Sequence, residues 1–278
     1  MHHHGAFHET GSSFDWLFLC IPFVLLIILY IVAVIYSNKK YRKWPAYRTL
    51  CWIAGVSGIA LACIGPIAEK DHTSFQAHMF THLLLGMLGP LLLVFASPMR
   101  LVLRTAPVKI ARVITKFLKS RYVQWITHPI LATVLNVGGL WVLYTTGLYA
   151  AMHSIFLLYV LVHLHVFLAG YVFTVSMIYI DPTPHRTSFY LRSTMLILAM
   201  AAHSILSKWI YAHPPTGVET MDAQVGGMFM YYGGDAIDLI IVIVLCSQYF
   251  RGRIGKEINT NINLKEAGTK PTSEMKSR

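Results

Sequence analysis

Residues 75–96 read FQAHMFTHLLLGMLGPLLLVFA, an uncharged run that still carries two histidines, His78 and His82. At about 1.5 Å per residue such a run crosses a hydrocarbon layer about 30 Å thick. The spacing therefore predicts a transmembrane helix. Ionisable groups inside hydrocarbon cost at least a few kcal/mol each on insertion scales, so the two histidines are functional candidates from the start.

Six further runs of similar character flank this one. Seven segments are predicted: Trp16 to Tyr36, Tyr47 to Ala68, Phe75 to Ala96, Pro129 to Tyr149, Met152 to Ile180, Tyr190 to Ala212 and Gln224 to Phe250. The fourth is the weakest, because Asn136, Gly138, Gly139 and threonines dilute it. Composition agrees: 55% of the 278 residues are hydrophobic and 13% are charged, about half the charge of a soluble domain. The fold class is thus an all-α integral membrane bundle of seven transmembrane helices.

The net charge of +11 might point to nucleic acid, but the Lys and Arg residues lie in short loops between apolar runs. There they act as topology signals, since basic short loops stay cytoplasmic. Basic loops follow the first, third, fifth and seventh segments, with Lys39, Arg104, Arg186 and Arg251 among their residues. The intervening loops carry Glu69, Lys70 and Asp71, then no charge around Ala150, then Glu219 and Asp222. The amino end is therefore expected outside and the carboxyl end inside.

Residues 1–14 form an outer histidine-containing segment, 15–250 the helical domain, and 251–278 a polar tail expected to be disordered. No Lys or Arg precedes the first run, so it is expected to stay as a helix and not to be cleaved as a signal peptide. Cys20, Cys51, Cys63 and Cys246 all lie in apolar runs without a C-x-x-C pair. They read as small fillers of helix faces.

Depth counting along the helices brings His82, His163, His203 and Asp235 to roughly 10 to 16 Å below the outer face. His78 and His82, four residues apart, share a helix face and offer two imidazoles together. Imidazole suits zinc, copper, iron and nickel, and the thioether of Met79 would add a preference for cuprous copper. The candidate metal ligands are His78, Met79, His82, His153, His163, His203 and Asp235, with His2, His3, His4 and His8 as first contacts for incoming metal. His165 lies on another face and reads as a packing histidine. Paired glycines such as Gly226–Gly227 and Gly233–Gly234 permit close helix approach.

Five motifs in order then resemble a known family: Gly65-Pro66-Ile67-Ala68, His78-Met79-Phe80-Thr81-His82, Ser97-Pro98-Met99-Arg100, Asp181-Pro182-Thr183-Pro184-His185-Arg186 and Gln224-Val225-Gly226-Gly227. Over roughly residues 45–250 the chain is similar to the CtaG family of integral membrane assembly factors for caa-type cytochrome c oxidase. Many relatives carry an acidic residue directly before the glutamine; here Ala223 stands in that place and Asp222 one position earlier, which leaves the role of Asp222 open. The resemblance implies a non-enzymatic protein of the bacterial plasma membrane. Its partners would be oxidase subunits and a copper chaperone, with copper as its cargo. A membrane haem protein, a copper transporter and a metal-free assembly scaffold remain alternatives.

Overall fold

The structure is a computed structural model that describes residues 10–71 and 73–268, with side chains described over 18–254 apart from residues 66 and 72. His2, His3, His4 and His8 lie outside the described residues. Among those described, every regular element is helical. Six helices are long and apolar enough to cross a membrane, and a bent pair of helices supplies the seventh expected crossing if it counts as one span.

In chain order these are α1 (Thr10–Lys40), α2 (Ala46–Cys63), the short α3 (Pro66–Asp71), α4 (Phe75–Leu83) continued through a π-turn at Leu84–Leu88 into α5 (Gly89–Ala96), then α6 (Pro98–Thr105), α7 (Val108–Leu118) and α8 (Arg121–Ile126). A second π-turn at Val134–Gly138 joins α9 (Pro129–Thr133) to α10 (Gly139–Thr145), and α11 (Leu148–Ser154), α12 (Phe156–Met177), α13 (Phe189–Ala212) and α14 (Thr220–Gly268) follow.

The α4–α5 span is the hub. Of its apolar stretch 72% is buried, against 6% for α1, which lies at the periphery. Its π-turn has a local cause: Pro90 has no N–H, and its ring clashes with the carbonyl four residues back, at Gly86, in a regular α-helix. Widening the turn relieves this clash. The Gly86 carbonyl is met by Gly170 of α12, so closely that a Cβ on Gly170 would stand 1.9 Å from the oxygen. Only glycine permits that crossing.

Two acids tie helix starts to distant segments. Asp222 accepts hydrogen bonds from the backbone N–H groups of Phe75 (2.5 Å) and Gln76 (3.2 Å) and from the Ser74 hydroxyl (3.3 Å). Asp181 accepts from the N–H groups of Met99 (3.2 Å) and Arg100 (2.9 Å) at the start of α6, while Arg100 donates to the Ile180 carbonyl. Each carboxylate supplies the acceptor that unpaired N–H groups of a helix start require, where the helix dipole also favours negative charge. Burial nonetheless pushes the Asp181 carboxyl up, with those hydrogen bonds and Arg100 opposing it.

Three expectations need correction. The fourth run is not one straight helix: α10 and α11 meet at 80°. Thr145 and Thr146 turn their hydroxyls back onto the carbonyls of Trp141 and Val142 (2.6 Å each), and Thr146 then accepts from the Leu148 N–H. Such bonds compete with helix continuation. As a result Met152 and His153 belong to α11, and the fifth span begins only at Phe156. Finally, α14 continues past Phe250 to Gly268, where disorder was expected. Extending a formed helix avoids the nucleation cost that an isolated polar segment would face.

Candidate functional site

Gly65 has φ +92°, a conformation that L side chains rarely adopt. This turn separates α2 from α3, with Pro66 at the helix start. The short α3 consequently delivers Asp71, 1% exposed, onto the first turn of α4. Asp71 Oδ1 lies 3.0 Å from His78 Nδ1, and its Oδ2 accepts from the Tyr159 hydroxyl at 2.7 Å and stands 3.8 Å from His163 Nε2. His78 Nε2 is 3.0 Å from the Tyr144 hydroxyl. Burial pushes the Asp71 carboxyl up, but the hydrogen bonds from His78 and Tyr159 and the nearby imidazoles outweigh it and hold the group down at about 2.

His163 Nδ1 is 2.9 Å from the Tyr159 carbonyl, so its N–H donates there and the lone pair falls on Nε2, which faces Asp71. A backbone acceptor on one ring nitrogen is how ligating histidines are commonly oriented. Nitrogen and carboxylate oxygen atoms of Asp71, His78 and His163 all lie within 4.8 Å of one another, the one such triad among the described residues. The bent α11 roofs this cluster: Tyr149 and His153 have ring centres 5.1 and 6.0 Å from that of His78.

One helical turn along α4, His82 pairs with a different partner. Its ring centre is 6.1 Å from that of His203 on α13, with the planes 26° apart. Both rings are at least 95% buried, and none of their four nitrogens has a hydrogen-bond partner among the described residues. They line a cavity of about 20 Å3 together with Met87, Asn136, Thr174 and Asp238. Both π-turns contribute to its wall, through Gly86 with Met87 and through Asn136 with Val137. Glycine makes room for the rings: a Cβ on Gly234 would lie 2.4 Å from the His203 ring.

The seven residues expected to form one site are thus divided. His78 and His163 meet around Asp71, with His153 above them, and His82 and His203 form a separate pair. Met79 joins neither group; it is fully buried among Phe75, Leu140 and Leu206, against Gly226. Successive helix residues point about 100° apart, so Met79 leaves the face that His78 and His82 share. Asp235 adjoins the His203 side but accepts from Ser204 at 3.3 Å. His165 acts as a packing residue, with Nε2 3.1 Å from the Leu135 carbonyl of the second π-turn.

Sequence reasoning missed Asp71, Tyr144, Tyr159 and Asp238. Asp71 had been counted only as a loop charge. The available signal was a Gly-Pro turn followed by an acid just ahead of a two-histidine helix.

The family described as cytochrome c oxidase caa3 assembly factor (Caa3_CtaG) matches residues 28–252. Uncharacterized proteins of Mycobacterium bovis and Mycobacterium tuberculosis are each 27% identical over 213 residues, 74% of this chain and 31% of the relative. One from Mycobacterium leprae is 23% identical over 249 residues, covering 82% and 38%. The chain thus spans about a third of the length of these relatives. No solved structure matches it. With Gly65, His78, Asp181 and Gly226 of the five motifs in structurally demanding positions and the match covering most of the helical bundle, the chain belongs to the caa3 cytochrome c oxidase assembly factor family.

Proposed function

We propose that this multi-pass membrane protein handles copper during maturation of a haem-copper oxidase in the bacterial plasma membrane, receiving the ion at the Asp71–His78–His163 cluster. The cluster's end of the bundle faces outward, in line with the basic loops at the other end. Copper is cargo, passed on without covalent chemistry. An oxidase subunit is the acceptor and a copper chaperone the donor.

The observation that carries this reading is the convergence of two imidazoles and an ionised carboxylate from three separate elements. Imidazole suits copper, and the carboxylate weights the set toward the cupric ion. The earlier assignment to cuprous copper leaned on Met79, which lies elsewhere. Asp71 is held ionised well below neutral pH and His163 has its lone pair oriented, so two ligands need no deprotonation. His78 must exchange its bond to Asp71 for one to the ion, with Nε2 turned to donate to the Tyr144 hydroxyl.

A metal-free scaffold has one observation in its favour, because the cluster's hydrogen bonds are already made without an ion. Haem has less support: a cavity of about 20 Å3 between His82 and His203 is far smaller than a porphyrin. The test compares wild type with Asp71→Asn/His163→Ala in purified copper content and in the copper content of the cell's oxidase. Both are expected to fall. Unchanged copper in both measurements would remove the Asp71–His78–His163 cluster as a copper site.

A further inference from the structure

The buried histidine pair one turn below the first cluster has no role in the reading above. Its features need an explanation. Imidazole nitrogens deprived of water are normally hydrogen-bonded, and stranded ones cost about 1–3 kcal/mol each. Here four nitrogens lack partners, on two rings from different helices that line the same small cavity. A cavity that accepts a water-sized sphere over roughly 10–15 Å3 can hold one small occupant, and this one offers about 20 Å3. The occupant must therefore be a single water or a single ion.

The lining chemistry distinguishes them. With metal–nitrogen bonds of about 2 Å, two imidazoles on one ion hold their ring centres about 5 to 6 Å apart according to the angle between them, and His82 and His203 stand at 6.1 Å. Met87 adds a thioether to the wall, and thioether with imidazole is a soft donor set that selects cuprous copper. The first cluster offers carboxylate in place of sulfur. Two π-turns, features that concentrate at functional sites, both contribute residues to the wall of this cavity. Gly86 and Gly234 leave space beside the rings. Tyr144 stands between the two clusters, its hydroxyl bonded to His78 and its ring centre 6.4 Å from that of His82.

We infer that His82, His203 and Met87 form a second metal site, distinct from Asp71–His78–His163 and selective for Cu(I), with Asp238 and Asn136 as polar lining. The inference adds to the proposed copper-handling role but can be tested apart from it.

Full-length protein in detergent is titrated with Cu(I) against a cuprous-specific chromophoric chelator. Asp71→Asn/His163→Ala is expected to retain one tightly held equivalent, and His82→Ala/His203→Ala to lose it. If the first variant holds as much Cu(I) as wild type and, in a parallel titration, as much Cu(II), the Asp71 cluster is no copper site and the second site stands. If His82→Ala/His203→Ala folds and binds Cu(I) as wild type does, the second site is overturned and the cavity holds only water. Should that variant fail to fold, Met87→Leu in the Asp71→Asn/His163→Ala background decides. X-ray absorption at the copper edge should show a sulfur neighbour that Met87→Leu removes, with Cu(I) affinity falling at least tenfold. A spectrum without sulfur and an unchanged affinity would contradict the assignment.

Discussion

His78 and His82 occupy one face of one helix, four residues apart, yet their surroundings are opposites. Around His78 the described polar contacts are mutual: Asp71 accepts from both His78 and Tyr159, and Tyr144 completes the other nitrogen. Around His82 the partner is a second imidazole, and neither ring has a hydrogen bond among the described residues. The first cluster is stable as it stands and must be opened to take an ion. The second is left wanting an occupant. Helical spacing alone cannot produce this difference. It comes from what the other elements bring, a turn-delivered carboxylate on one side and π-turns with glycines on the other.

That contrast can be tested by stability in metal-free protein. The largest effect is expected for Asp71→Ala, which strands the His78 N–H and the Tyr159 hydroxyl. A loss of about 3 kcal/mol follows from two unsatisfied buried groups, read as a shift in the unfolding midpoint in detergent. A loss below about 1 kcal/mol would mean the cluster is not the closed network described. Gly65→Ala comes next, at about 1–2 kcal/mol for forcing a left-handed φ on an L residue. It should also weaken copper binding by moving Asp71, and copper affinity equal to wild type would separate the turn from the site. Asp222→Ala removes the acceptor at the start of α4 and should cost about 1 kcal/mol, as a lost helix cap does, without changing copper stoichiometry. The smallest effect is expected for His203→Leu, a swap of similar bulk that removes unsatisfied nitrogens. Its cost should stay under about 1 kcal/mol, since deleting unpaired polar groups can be neutral or better. A penalty as large as that of Asp71→Ala would show that the His203 nitrogens are satisfied after all.

Much of the frame was legible in sequence, for reasons that also explain the misses. The uncharged run at 75–96 could only be a membrane helix, and the periodicity of His78 and His82 was read from it directly. The bend at Thr146 was not, because it depends on hydroxyls folding back onto carbonyls inside a run that still looks apolar. Depth counting put His82, His163, His203 and Asp235 at one level, but depth carries no information on which helices are neighbours. It therefore merged into one group side chains that the fold divides between two clusters. Asp71 escaped notice because an acid in a short loop reads as solvated, whereas the turn at Gly65 buries it. Asp222, left open by the shifted position ahead of Gln224, acquires a definite role only once α14 is seen to start beside α4.

Crystals grown with copper and measured at the copper absorption edge would test the central claim most directly. The account predicts an anomalous peak bounded by the Asp71 carboxylate, His78 Nδ1 and His163 Nε2, with the His78–Asp71 hydrogen bond opened. Copper-loaded crystals with that bond intact and no peak among the three side chains would contradict it.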